Sequence, residues 1–430
     1  MSLLQNLSAI SDRHAGPDMK FIALRGPYRI RIKTIRSWNI RKPFMLFASG
    51  LSTDADSFRA ADAVLAAVEK DLAGRRPDLA LLFLTPHHAP KLEETVERIA
   101  ARSQATHLIG CTGQAVIAGG REVEGEPGLC LFAAHLPGVS IQSFPIQAEE
   151  TPEGLAFSGL PEAGGAPETL LLFGEPFSFP ATEFLSRLDE DNRGLQILGG
   201  MASGAFSPGE NRLFLGGRTL VDGAVGVILS GPIRVRPVVS QGCKPFGKPL
   251  VITKADGNII LEMGGRSAIE RLGEQVESLP QKERDLIPKR LHLGRAIDPT
   301  RRTFGRGDFL VRNVVGIDLQ NGAIALTDPV RAGQTVQFHL RDAQTASEDL
   351  ESLLQATRGT GAAPGGALVF SCNGRGSYLF SRPDHDAGAI QRELGPVPLA
   401  GFFAAGELGP VGGRNFLHGF TASIALFEAV

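Results

Sequence analysis

The sequence predicts an α/β protein of two related lobes, with mixed sheets flanked by helices and built from repeated strand-helix-strand units. Three observations carry that expectation. Continuous apolar runs of strand length are bounded by proline or glycine, amphipathic segments of helical spacing lie between them, and one order of elements returns three times.

The first copy opens with the apolar run 79–84, bounded by Pro77 and Pro86, which suits a strand buried on both faces. Residues 91–102 follow, with Leu92, Val96 and Ile99 at helical spacing against Glu93, Glu94, Glu97 and Arg98. A short strand at 107–109 then enters a glycine turn, 110–113. The second copy runs 169–173, a helix over 181–188, and 195–198 into glycines at 199–204. The third runs 367–370, a helix over 387–394, and 397–400 into 401–406. After each glycine segment comes one more candidate strand, at 128–133, 223–229 and 419–426.

A further pairing links the two ends. Residues 47–56 lead into a helix over 57–72, and residues 338–343 lead into one over 346–354, with Asp56 and Ser347 as expected N-caps. The repetition suggests a divide near 230–247, where proline and glycine concentrate. The expected organisation is a basic, disordered extension over 1–44, an N-terminal domain over 45–239 and a C-terminal domain over 240–430. A flexible surface loop is expected at 358–366.

Composition removes several function classes. Residues 1–44 hold nine Lys/Arg against two Asp/Glu, which leaves the rest of the chain acidic, with 35 basic against 44 acidic side chains. An acidic body without a basic stripe, with one Trp and two Tyr for stacking, argues against nucleic acid as a partner. Cys111, Cys130, Cys243 and Cys372 lie far apart, with no CxxC and no Cys/His ligand spacing, so neither a disulfide framework nor a zinc site is expected. No apolar run reaches the roughly 18 residues of a transmembrane helix. These features point to a cytoplasmic protein without metal or cofactor. The basic extension read alternatively as a transit peptide or membrane-surface arm lacks the apolar stretch of a secretory signal.

At specific motifs a resemblance emerges. The run 109–113, followed by Gly119-Gly-Arg-Glu-Val123, resembles the N-terminal FIST domain. Residues 309–313, 370–376, 401–407 and 412–416 resemble the C-terminal FIST domain, so that the likeness spans roughly 45–430. The resemblance implies a sensory signal-transduction module that binds a small ligand, amino acids among the candidates. Relatives of that family are often fused to transmitter modules or an F-box. No kinase, cyclase, receiver or F-box pattern occurs here, so the output is expected to pass through a separate protein partner.

The residues themselves nominate three places for a ligand. In the segment 370–376, glycines follow a strand directly, where backbone N–H groups can form an anion-binding nest, and Arg375 adds a planar fork for a carboxylate or phosphate. Cys372 and Asn373 belong to the same turn; the alternative is a tight turn with a solvated arginine. Cys372 as a nucleophile would define an enzyme, but no His stands in a catalytic arrangement with it, and a buried thiol is the plainer reading. The second place is 401–418, where Glu407, Arg414, Asn415 and His418 interrupt an apolar segment; a carboxylate with an arginine suits both ends of an amino acid, and a Glu407 to Arg414 ion pair is the structural alternative. The third is Cys111 and Thr112, set by rough alignment of the repeats against Ser203 and Ala405. His87 and His88 read as an exposed loop pair rather than metal ligands. The segment 110–113 lacks the GKS or GKT ending of a phosphate-binding loop. Besides a sensor, two readings stay open: an enzyme using Cys372 or the Glu407, Arg414 and His418 group, and an interaction scaffold without a ligand.

Overall fold

The computed structural model describes residues 44–430, apart from 153, 162–167, 192–193, 306 and 360. Except for Phe44, the basic extension expected over 1–44 lies outside the described residues. The fold is mixed α/β, as the repeated elements predict, and the three copies are its building units.

Each copy forms the heart of one sheet. The first sheet runs Leu46–Ser52, Leu129–His135, Leu79–Leu84, His107–Thr112; the second runs Gly154–Ser158, Ser140–Thr151, Ala224–Ser230, Glu168–Gly174, Gln196–Met201; the third runs Ile233–Ser240, Ala422–Ala429, Gly366–Cys372, Leu399–Ala404. In every sheet the two strands joined through a helix are parallel, and their partners on the other side are antiparallel. The linking helices are Leu92–Ser103, Ala181–Asp191 and His385–Leu394.

Each sheet is then completed by a hairpin from another copy. Strands Leu213–Leu215 and Arg218–Leu220, from the second copy, extend the first sheet; Glu407–Val411 and Arg414–His418, from the third, extend the second; Ala115–Ala118 and Arg121–Glu124, from the first, extend the third. The exchange is cyclic and closes on itself.

The glycines read as turns are part of this arrangement. Gly110, Gly199 and Gly401 lie inside strands, and a Cβ there would fall 1.9, 1.9 and 1.8 Å from the carbonyl oxygens of Leu82, Leu172 and Val369. The close approach of two parallel backbones, not a turn, demands glycine. Aligning the copies on these glycines places Thr112 with Met201 and Phe403, and Gln114 with Ser203 and Ala405, which shifts the rough alignment by two residues. One position beyond each clashing carbonyl stands a phenylalanine: Phe83, Phe173 and Phe370, all fully buried, with ring centroids 5.3, 6.5 and 5.7 Å apart. These edge-on contacts sit where the three sheets meet.

Helices cover the outer faces. Ser57–Asp71 lays Ala60, Val64 and Val68 over the first sheet. Its N-cap is Asp56, whose carboxylate accepts from the backbone N–H of Phe58 and Arg59, as expected. The helix Ala343–Thr357 begins earlier than its apolar spacing suggested, and its cap is Asp342, accepting from the N–H of Thr345. Ser347 therefore stands within the helix, where its hydroxyl meets His385 Nε2 at 3.0 Å.

Between Ile233–Ser240 and that helix, the chain builds an antiparallel barrel. Its order is Cys243–Asp256, Thr335–Arg341, Leu291–Ala296, Phe309–Asp318, Ala323–Leu326 and Ile259–Met263, and pairing of the last with the first closes it. Phe246, Ile252, Ile260, Leu293 and Phe338 fill its interior. The strand ending at Arg341 is thus a barrel strand. The true counterpart of Leu46–Ser52 is Ile233–Ser240, which pairs with Ala422–Ala429 as the former pairs with Leu129–His135.

Candidate functional site

At the end of Gly366–Cys372 the chain turns through Asn373 and Gly374 and enters the short helix Gly376–Phe380, with the Arg375 N–H donating to the Cys372 carbonyl at 2.8 Å. Arg375 points inward and is fully buried. Its Nε and Nη2 donate to the two carboxylate oxygens of Asp386 at 2.7 and 2.8 Å, and its guanidinium lies 5.2 Å from the centre of the Phe380 ring. Asp386 also accepts from the Ser371 hydroxyl at 2.7 Å and meets His385 Nδ1 at 2.9 Å. Burial alone would push the Asp386 carboxyl up; the Arg375 charge outweighs it and holds the group well below the usual carboxylate range. From the exchanged hairpin, Glu122 accepts from the N–H groups of Asp386 and Ala387 at 2.7 and 2.9 Å, at the start of His385–Leu394. Arg375 therefore ties strand to helix, Glu122 ties that helix to the exchanged hairpin, and the Arg375 fork is occupied by protein.

The neighbouring buried arginine is different. Arg341, at the end of its barrel strand, is 3% exposed and lines a cavity of about 440 Å³. The cavity has two walls. Leu291, His292, Asn313 and Arg341 come from the barrel, while Gly374 and Phe420 belong to the third sheet's loops. Arg341 donates from Nη2 to the Gly374 carbonyl and stacks 4.1 Å from the centre of the Phe420 ring. Its Nε is buried without a hydrogen-bond partner, and among the described residues no carboxylate lies within 4.0 Å of it. Burial lowers its pKa to about 10, which still leaves it cationic at neutral pH. Beside it, His292 holds the Arg290 carbonyl through Nδ1 at 2.9 Å, and its Nε2 is likewise buried and unpartnered. Burial pushes this imidazole down to about 4, so it is neutral. Phe420, which packs on both groups, holds a left-handed backbone at φ +62°. Lys289 and Arg290 stand at the rim.

Behind Gly374 lies Cys372, half-buried, its Sγ accepting from the Gly374 N–H at 3.5 Å. Burial and the nearby Glu407 push the thiol up to about 12. Such a thiol stays protonated, unlike a catalytic thiolate. Glu407 is fully buried; one oxygen accepts from the Thr421 N–H at 3.1 Å and the other has no partner, and burial raises the group to about 8. The Asn373 side-chain oxygen is a further buried atom without a partner.

The other nominated residues lie elsewhere. Glu407 faces His418 across its hairpin, whereas Arg414 faces Val411 at the far end, so the two do not form an ion pair. Arg414 is largely exposed, 3.7 Å from Asp189. Asn415 is a structural pin: it accepts from the Ile197 N–H at 2.9 Å and donates to Asp189 and the Leu195 carbonyl, each at 2.8 Å. His418 is buried, pushed down to about 4, and meets the Gly409 carbonyl at 2.9 Å. Cys111 sits in the phenylalanine-lined core, and the Thr112 hydroxyl accepts from the Arg212 N–H at 3.1 Å. Of the glycine segments, 110–113 and 199–204 share a cavity of about 80 Å³ through Thr112 and Ser203, and no residue of 401–406 lines it. Of the adjacent histidines, His88 is buried, with Nδ1 2.9 Å from the Ser57 hydroxyl, so the pair is not a simple exposed loop.

Sequence reasoning missed Arg341, His292 and Asp386. Its available signal was thin: an arginine closing Thr335–Arg341, a strand that alternates polar Thr335, Gln337 and His339 with apolar Val336, Phe338 and Leu340, and a His-Asp pair opening a helix after Arg375.

Comparisons with known proteins agree with the motif reading. Residues 78–266 match the FIST N domain and residues 268–410 match the FIST C domain. The uncharacterized protein Mb0898c of Mycobacterium bovis (strain ATCC BAA-935 / AF2122/97) is 39% identical over 386 residues, covering 89% of this chain and 99% of that protein. The uncharacterized protein Rv0628c of Mycobacterium tuberculosis (strain ATCC 25618 / H37Rv) is 40% identical over 386 residues, covering 89% of this chain and 100% of that one.

Proposed function

From the premise that this chain belongs to the FIST family, a sensory and non-enzymatic family associated with signal transduction, we propose that it binds a small carboxylate, an amino acid being a good fit, in the cavity of Arg341. One observation carries the reading: a buried cation, with an unpartnered Nε, borders a cavity and, among the described residues, has no carboxylate within 4.0 Å. Burying a charge unpaired costs several kcal/mol, on the order recovered when an anion takes the place of the missing partner. A ligand carboxylate accepting from Arg341 Nε would also meet His292 Nε2, which in its neutral tautomer can donate or accept. Lys289 and Arg290 at the rim draw anions inward. The organic part rests against Phe420 and Tyr378.

The signal follows from the two walls. A ligand held by the barrel on one side and by the Gly374 and Phe420 loops on the other favours one fit of the barrel against the three-sheet body, and a protein partner that distinguishes the two fits reads its presence. The raised pKa of Cys372 supports a sensor over a thiol enzyme. Four free thiols suit a reducing cytoplasm, and among the described residues no helix is long and apolar enough to cross a membrane.

The test is thermal unfolding of the full chain with each amino acid and a series of small mono- and dicarboxylates, repeated for Arg341→Gln. A true ligand at about 100 times its Kd stabilises by about 2.7 kcal/mol. The expected result is a hit that Arg341→Gln abolishes while the variant stays folded. A series without any hit, or hits of unchanged Kd in the variant, overturns the proposal.

A further inference from the structure

A second cavity, of about 380 Å³, lies between the barrel and the hairpin Glu407–Val411/Arg414–His418. Four arginines line it: Arg295 and Arg312 from neighbouring barrel strands, Arg331 from the loop after Ala323–Leu326, and Arg414 from the hairpin. Two of them are answered by protein. Arg312 pairs with Asp328, and Arg414 stands 3.7 Å from Asp189, a carboxylate already engaged by Asn415 at 2.8 Å. The other two are not. The polar contact of the Arg295 guanidinium among the described residues is a long one, 3.4 Å to the Pro329 carbonyl, and Arg331 has no ion-pair partner among them.

The like charges bear on one another. Burial lowers the pKa of Arg295, and Arg312, Arg331 and Arg414 each lower it further, against the single opposing carboxylate of Asp328. Four guanidinium groups around a concave, partly desolvated space repel, and the repulsion is relieved by a species carrying more than one negative charge. Guanidinium forks match carboxylate and phosphate oxygens equally well. Leu185, Ile297 and Leu417 supply an apolar side to the same cavity, which suits an organic body rather than a bare ion.

We propose that this cavity is a second binding site, separate from that of Arg341, for a small organic anion of at least two charges, a phosphate ester or a di- or tricarboxylate. Its occupant again touches the barrel on one side and the three-sheet body on the other.

The experiment is titration of the full chain, at fixed ionic strength, with citrate, with glycerol phosphate and with acetate, followed by calorimetry and thermal unfolding. Citrate or glycerol phosphate is expected to bind and stabilise in the native chain and in Arg341→Gln alike, and which one binds more tightly identifies the carboxylate or the phosphate source; in Arg341→Gln, where the first cavity has lost its cation, acetate is not expected to. Arg295→Gln/Arg331→Gln should weaken the better anion at least tenfold, while Arg341→Gln leaves it unchanged. Should the double variant unfold, Arg331→Gln alone, at an exposed position, carries the same test with an expected loss of about threefold or more. The proposal is overturned if acetate matches the multivalent anions in Arg341→Gln, if neither multivalent anion binds, or if affinity is indifferent to the Arg295 and Arg331 changes.

Discussion

Replacing Arg375 by methionine keeps most of the aliphatic stem and removes the charge from the ion pair with Asp386. The carboxylate then loses two charge-assisted hydrogen bonds, of 2.7 and 2.8 Å, and keeps the Ser371 hydroxyl and His385. Breaking a buried pair by removing one member costs about 3–5 kcal/mol, because the survivor stays desolvated. The two remaining partners place the expected loss near 3, and the lost guanidinium contact with Phe380 adds about 0.5–1. A total of about 4 kcal/mol is a large part of the 5–15 that a folded domain commands, so the variant should fold but unfold at much lower urea. Arg375→Met/Asp386→Leu should regain most of the loss, since no buried charge is stranded. The pH dependence gives a second reading. Without Arg375 the folded-state pKa of Asp386 rises above its unfolded value, so the single variant should gain stability relative to the native protein as pH falls from 7 towards 4. Urea midpoints by circular dichroism at pH 5 and 7 measure both effects. A loss below 1 kcal/mol, or a double variant no better than the single, would refute the assigned pairing and return Arg375 to the list of groups free to hold a ligand.

Two further outcomes follow from the packing. Buried His292, His339 and His418, each pushed down to about 4, stay neutral while unfolded histidines take up protons below pH 6.5, so they remove stability as pH falls from 6.5 to 4. Glu122 and Glu407, raised to about 8, keep protons that unfolded carboxyls lose above pH 4.5, so they remove stability as pH rises to 8. Three groups outweigh two below pH 6.5 and nothing among these opposes the two above it, so the unfolding free energy should peak near pH 6.5 and fall by up to about 1.4 kcal/mol per pH unit for each carboxyl beyond, the urea midpoint falling with it; a midpoint still climbing at pH 8 contradicts the assignment. Gly401→Ala should prevent folding, with its Cβ 1.8 Å from the Val369 oxygen, whereas Gly388→Ala, in the helix His385–Leu394 with nothing within 4 Å, should stabilise by about 0.5–1 kcal/mol. Soluble yield and melting temperature of the pair decide it.

Much of the three-sheet body could be read from local pattern. Strands such as Leu79–Leu84 are apolar on both faces, and the helix spacing of Leu92, Val96 and Ile99 is regular, so burial and periodicity agree. What local pattern could not supply was pairing. Glycine marks both a turn and a close strand approach, and only the neighbour across the sheet tells which, so Gly110, Gly199 and Gly401 were misread as turns. Arg375 was identifiable as unusual, but its partner lies 11 residues on, in a helix whose first turn carries no spacing signal. The barrel left the weakest trace. Its longest strand, Cys243–Asp256, contains Pro245 and Pro249, three lysines and a break in register between Phe246 and Leu250, so it lacks the alternation that announces a strand. Arg341 and His292 come from this part, which is why the residues around the larger cavity were missed while those of the neighbouring turn were found.

The cyclic exchange of hairpins sets the order in which the chain can complete itself. The second sheet, made from residues 140–230, waits for strands at 407–418, and the ribbon at 115–124 waits for the third sheet, whose strands are made long after it. During synthesis, nascent chains must therefore carry uncapped strand edges almost to the last residues, the condition under which partially made proteins stick to one another. A release of the polypeptide before Glu407 would leave an open edge beside Gln196–Met201, so such truncations should be found with chaperones or in aggregates rather than as stable fragments.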